Sequence, residues 1–152
     1  MNLDSALGKT GVLAHLTEDE VRFLESAAVD RLFAEGDILF EEDAVAEEFF
    51  IIVEGRIGLE LVSPRRRPIV IQTLGRGDLI GLSWFFPPYR WSWRARAMDP
   101  TKVIAFDAKA VRERCVEDRN LSERILQMVA REAVKRLHGA RTQLLDLYEF
   151  PR

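Results

Sequence analysis

Cys115 is the chain's one cysteine, so no intrachain disulfide can brace the fold. A lone thiol reads as a buried or idle side chain, and the alternative, a nucleophile, needs a histidine beside it. Histidine is scarce as well. His15 and His138 are the two in 152 residues, and neither falls in the strand-patterned part of the chain. A metal-assisted barrel enzyme needs several inward-facing His and carboxylate ligands on strands, so neither catalytic residues nor a metal site are expected. No apolar run approaches the roughly 20 residues that span a bilayer, and the N-terminus lacks a basic segment leading into an apolar one. A cytoplasmic protein without a membrane partner is the expectation. Basic excess is also missing: 22 Lys and Arg stand against 25 Asp and Glu, a net charge of −3. That balance argues against a dedicated nucleic-acid binder, which needs a concentrated basic face.

What is present is an ordinary globular composition, 47% hydrophobic and 31% charged, at a length suited to one domain with a single core over 1–152. All three tryptophans fall in one stretch, Gly81-Leu82-Ser83-Trp84-Phe85-Phe86-Pro87-Pro88-Tyr89-Arg90-Trp91-Ser92-Trp93. Aromatic area beside two prolines and closely spaced arginines suits a ligand pocket or an interface better than a connecting loop.

Thr17-Glu18-Asp19-Glu20 has the spacing of a capping box. A short helix follows, with Val21, Leu24 and Ala28 at helical spacing, and an N-terminal helical part covers 1–29. From 30 to 107 short β-rich runs alternate with turn residues. Strands are predicted near Arg31–Ala34, Ile38–Glu41, Phe49–Val53, Arg56–Val62, Ile69–Leu74, Leu79–Ile80, Trp93–Met98 and Lys102–Phe106. Gly36, Gly55 and Gly77 mark turns that call for positive φ. The arginine-rich stretch Ser63 to Pro68 reads as a solvated hairpin tip. Residues 108–152 read as helical: a short helix to Val116, an interruption over 117–120, and a long helix from about Leu121 to Tyr148.

In that helix Leu126, Ala130, Ala133, Leu137, Ala140, Leu144 and Leu147 alternate spacings of four and three, a heptad seam. Two readings stand. The seam packs on its own barrel, or it is shared with a second copy in a homodimer. The second is preferred because the apolar flank of Ile125, Met128 and Val129 gives way to Lys135, Arg136, His138 and Arg141.

The pieces Gly36-Asp37-Ile38-Leu39-Phe40-Glu41, Phe49-Phe50-Ile51-Ile52-Val53-Glu54-Gly55-Arg56-Ile57, Leu74-Gly75-Arg76-Gly77-Asp78-Leu79-Ile80-Gly81 and Arg96-Ala97, in this order and spacing, resemble the cyclic nucleotide-binding domain family. The resemblance covers nearly the whole chain. It implies a mainly β fold with flanking α: an eight-stranded β-roll, the double-stranded β-helix of cupin-like jelly rolls, with a short N-terminal and a long C-terminal helix. It implies cAMP or cGMP as ligand, no required cofactor, and a phosphate-binding cassette at the tryptophan-rich stretch. In the family a Gly-Glu pair opens that cassette, the glutamate accepts from the ribose 2′-hydroxyl, and an arginine near the next strand pairs with the phosphate. Here Leu82 follows Gly81, and Trp91 stands at the arginine position with Arg90 one residue earlier. The candidate ligand-binding residues are Gly81, Leu82, Ser83, Trp84, Arg90, Trp91 and Ser92. A regular strand turns Arg90 outward with Arg94 and Arg96, whereas a bulge between 90 and 93 turns it inward. Transcription regulators of the family carry a helix-turn-helix after the long helix, and none precedes Arg152. Direct DNA contact is therefore not expected, and any action on transcription would pass through a protein partner. Two functions compete: a sensor that binds a cyclic nucleotide, or a different small anion or apolar ligand, and signals through its terminal helix, and a ligand-free interaction module whose pocket Leu82 and Trp91 have filled.

Overall fold

The structure is a computed structural model, which describes residues 11–149 and Leu3. The rest of the helical part expected over 1–29, residues 1–2 and 4–10, lies outside the described residues, as do 150–152. Helix α1 spans Glu18–Ser26 and opens on the anticipated capping box. The Thr17 Oγ1 accepts from the Glu20 N–H at 3.2 Å, and the Glu20 carboxylate accepts from the Thr17 N–H at 2.9 Å.

Eight strands follow: β1 (Ala28–Phe33), β2 (Ile38–Phe40), β3 (Glu48–Glu54), β4 (Ile57–Ser63), β5 (Arg66–Leu74), β6 (Leu79–Ile80), β7 (Arg94–Ala97) and β8 (Thr101–Asp107). They form two antiparallel four-stranded sheets, ordered β1-β8-β3-β6 and β2-β7-β4-β5. Phe49, Ile51, Leu59, Ala95, Ile104 and Phe106, all at most 1% exposed, lie in the core of this β-roll. At Gly55, φ is +103°, and a Cβ there would stand 2.4 Å from the Thr101 Oγ1. The turn between β3 and β4 therefore requires glycine.

Strands β3 and β8 begin one residue before their predicted starts, and β1 and β5 begin three residues before theirs. Ala28 belongs to β1, paired with Phe106, and not to the helix, because β8 supplies a six-residue ladder that outweighs helical spacing. Strand β5 starts at Arg66, leaving Pro64 and Arg65 as the turn and Pro68 inside the strand. Proline is tolerated there because β5 is an edge strand.

Helices α2 (Ala108–Glu117) and α3 (Arg119–Glu149) close the chain. The interruption between them shrinks to Asp118, whose backbone N–H ends α2 on the Arg114 carbonyl while its carboxylate accepts from the Leu121 N–H at 3.0 Å. Helix α3 buries Leu121, Ile125, Met128 and Val129, and Arg124 pairs with Glu20 of α1 at 3.1 Å. The heptad seam is exposed along its whole length: Leu126 at 46%, Leu137 at 68%, Leu144 at 56% and Leu147 at 71%, with Ala130, Ala133 and Ala140 between them. Within one chain the seam is not buried against the barrel, although Ala133, Leu137 and Ala140 look onto the space between α3 and the roll.

Candidate functional site

The tryptophan-rich segment leaves β6 at Gly81, turns through a short 3-10 helix at Ser83–Phe85, and enters β7 at Arg94. Its two ends are held by different tryptophans. Trp84 is fully buried, stacks on Phe49 at 3.9 Å between ring centres, and donates its indole N–H to the Gly81 carbonyl at 3.1 Å. Phe49 in turn stacks on Phe106 at 4.8 Å, so Trp84 ties the segment to the core. Trp91 is 5% exposed and stacks on Phe40 at 3.8 Å. Its ring lies against Gly81, where φ is +102° and a Cβ would stand 2.6 Å from two indole carbons. The glycine thus admits the indole as well as the backbone turn.

Between these ends the segment is pinned from both sides. The Trp91 N–H donates to the Ala44 carbonyl at 3.0 Å, and the Tyr89 carbonyl accepts from the Ala46 N–H at 2.7 Å. Arg112 of α2 lies over the Tyr89 ring at 4.3 Å and donates to the Trp84 carbonyl at 2.8 Å. The approach to β7 is therefore irregular, but Arg90 still faces outward. It is exposed, and its Nη1 donates to the Asp43 carbonyl at 2.8 Å.

A pocket of about 410 Å³ opens between the β-roll and α3. Gly81, Leu82, Ser83, Trp91 and Ser92 line it; Trp84 and Arg90 do not. Trp84 is sealed under the segment, and Arg90 is turned to the loop at Asp43. Ser83 and Ser92 meet with their hydroxyls 3.2 Å apart, which joins the two ends of the segment. Leu82 and Trp91 stand in the wall without closing the space. Phe40, Leu59, Ile71 and Trp93 add apolar wall, Gln72 adds a carboxamide, and Ala133, Arg136, Leu137 and Ala140 cover the space from α3.

Strand parity holds from Arg94 onward: Ala95 and Ala97 are buried, and Arg94 and Arg96 share the opposite face. Both arginines engage Glu60, a fully buried carboxylate on β4, in paired hydrogen bonds of 2.8–3.0 Å. Burial pushes the Glu60 pKa up, but hydrogen bonds from Arg96 and Arg94 outweigh it and hold it below the ordinary value. The three arginines nearest the segment are thus committed elsewhere.

The guanidinium that lines the pocket comes from α3. The Arg136 Nη2 donates to the Leu79 carbonyl, Glu132 lies 4.0 Å away, and the Arg136 Nε is buried without a hydrogen-bond partner among the described residues. Burial presses the Arg136 pKa below the usual arginine value against the pull of Glu132 and Asp78. Glu132 accepts from the Leu79 N–H at 3.3 Å, Lys135 bonds the Asp78 carboxylate, and the Arg136 carbonyl accepts from Gln72 at 3.3 Å. Together these contacts dock α3 on β5 and β6. Sequence reasoning placed Arg136 beside the seam as a solvated neighbour. The signal that identifies it is that Glu132 and Arg136 continue the buried stripe of Ile125, Met128 and Val129 at helical spacing.

Cys115 is buried, and burial with some help from Asp118 pushes its thiol up to about 11, so it stays protonated near neutral pH. Among the described residues no group of three His, Cys, Asp or Glu side chains is placed to hold a metal, and no helix is long and apolar enough to cross a membrane.

The family profile of the cyclic nucleotide-binding domain matches residues 30–118, more than half of the chain. A CRP-like cAMP-activated global transcriptional regulator of Mycobacterium tuberculosis is 22% identical over 145 residues, covering 95% of this chain and 63% of its own length. The chain thus spans less than two thirds of that regulator. A structure of cyclic nucleotide-binding type from Geobacter metallireducens GS-15 superposes with a TM-score of 0.81 at 23% identity, covering 91% of this chain and 100% of that one. The sensor domain of the transcriptional regulator DNR from Pseudomonas aeruginosa gives 0.70 at 17% identity, with 98% and 95% covered. These structural likenesses establish the β-roll with its terminal helix.

Proposed function

Because the chain belongs to the cyclic nucleotide-binding domain family, a family of regulatory and sensor modules, we propose that it is a non-enzymatic cytoplasmic sensor. It takes a small ligand in the pocket between the β-roll and α3 and signals through α3 as a homodimer. The observation that carries this reading is the pocket itself: about 410 Å³ of open space, walled by Trp91 and Trp93 on one side and by Ala133, Arg136 and Leu137 on the other. That volume lies in the range of small-molecule sites, roughly 300–1,000 Å³. Any occupant touches the roll and the helix together, so binding energy acts on the position of α3.

The open pocket favours the sensor over a ligand-free interaction module, since Leu82 and Trp91 line the space without filling it. cAMP and cGMP are the ligands that family membership suggests, and they would be held here without a ribose acceptor at position 82 or a guanidinium at 91. The exposed seam of Leu126, Leu137, Leu144 and Leu147 supports the homodimer, because an apolar heptad stripe of that length is normally covered by an identical helix.

Calorimetry of the purified chain against cyclic mono- and dinucleotides and a set of small aromatic ligands tests the sensor reading. Saturable binding with one site per chain is expected from at least one probe. A flat response from all of them at millimolar concentration leaves the interaction module as the reading.

A further inference from the structure

We propose that the anchor of this pocket is Arg136 on the terminal helix, not the segment at Gly81–Trp93, and that the ligand is a planar aromatic carboxylate. This inference rests on the sensor reading above and names the ligand class for it.

Every other guanidinium near the pocket is committed: Arg90 to the Asp43 carbonyl, Arg94 and Arg96 to Glu60. Arg136 is not. Its Nη2 serves the Leu79 carbonyl, its Nε–H has no partner among the described residues, and its nearest carboxylate, Glu132, sits at 4.0 Å and is itself engaged by the Leu79 N–H. The other charged groups on this side, Lys135 and Asp78, satisfy each other. The Nε–H is closed off from the open space in the empty state, so an acceptor pairs it only by drawing the guanidinium toward the pocket, and that movement removes the penalty of a buried donor without a partner. The planar fork of arginine fits a carboxylate through two parallel hydrogen bonds.

The remainder of the ligand is set by the opposite wall. Trp93 presents partly exposed apolar surface, Trp91 and Phe40 add only the edges left by their mutual stack, 5% and 8% exposed, and the Leu82 side chain presents neither donor nor acceptor. A ribose and a diester phosphate set against that wall would find only the hydroxyls of Ser83 and Ser92, which already meet each other at 3.2 Å, whereas an aromatic ring packs on the apolar part. The volume of about 410 Å³ accommodates a one- or two-ring acid.

The test is calorimetry on the whole chain with cinnamate and naphthalene-2-carboxylate, their methyl esters, cAMP and cGMP, using wild type, R136K and R136M. We expect the acids to bind and the esters to bind about 10-fold or more weakly, the size of one lost charge-assisted hydrogen bond. R136M should remove the acid preference while leaving ester affinity near wild type, with R136K intermediate. Acid and ester binding equally, or acid affinity unchanged in R136M, overturns the anchor and leaves the pocket standing. Cyclic nucleotides binding where the acids do not also overturns it, with the sensor reading intact. No binding by any probe removes both. The acid–ester comparison in wild type decides the matter even if R136M does not fold.

Discussion

The two walls of the pocket are built in different ways. The segment from Gly81 to Trp93 sits where the family places its polar grip, yet its side chains do structural work: Trp84 stacks into the core, Trp91 stacks on Phe40, and the serines bond each other. The facing turns of α3, from Ala133 to Ala140, lie on a helix whose pattern advertises packing, yet they carry the guanidinium that lines the space. A pocket's position belongs to the fold, and what it can bind is set by the side chains that line it. Substitutions on the first wall should therefore act mainly on stability, and those on the helix wall mainly on ligand and assembly.

The largest effect on stability should come from Trp84→Ala, which removes a fully buried ring and its bond to the Gly81 carbonyl. A loss of about 4 kcal/mol is expected in urea unfolding. A loss below about 1 kcal/mol would mean the segment is loosely held, and the contrast between the walls would fail.

Glu60→Gln comes next, at about 3 kcal/mol, because it strands Arg94 and Arg96 beside a carboxamide in a buried position. The pH dependence has a definite sign. The folded chain holds the Glu60 pKa below its ordinary 4.5, so the unfolded state binds the proton more readily. The stabilisation is complete above that ordinary value and disappears as pH falls through the lower folded value. In E60Q the acid limb of the stability profile should flatten, and an unchanged limb would assign it to other carboxylates.

Gly81→Ala should cost about 2 kcal/mol, part from the left-handed backbone and part from the clash with the Trp91 ring. In a Trp91→Ala background the second part vanishes, so the two substitutions should couple by about 1 kcal/mol in a double-mutant cycle. Strict additivity would show that the indole does not rest on Gly81.

How much of this was legible beforehand differs by element. The turns at Gly36, Gly55 and Gly77 all adopt the positive φ expected of them, and the short β-rich runs between turns mark the strands. The start of β1 was hidden because Ala27 and Ala28 suit a helix face and a strand equally, and only pairing with Phe106 decides. Strand parity left Arg90 open between outward and inward, and since β7 starts only at Arg94 it is the loop contact with Asp43, a tertiary fact, that turns it outward. Arg136 was hidden for a related reason. Periodicity separates the faces of α3 but does not say which face β6 will meet, so a charged pair on the buried stripe looks like solvated surface until Leu79 is placed beside it.

The smallest stability effect and the clearest effect on assembly are expected together from Leu144→Asp. Leu144 is 56% exposed in the single chain, on the seam and beyond the part of α3 that covers the pocket. Its substitution should leave the unfolding free energy of the isolated chain within about 0.5 kcal/mol, since no core contact is removed. An aspartate in an apolar heptad seam would meet its own copy across a two-fold axis, an arrangement that disfavours the pairing. Sedimentation should therefore find a dimer for wild type and a monomer for L144D at the same concentration. A wild-type monomer at every concentration would remove the seam from the signalling surface and leave α3 only its role as the wall of the pocket.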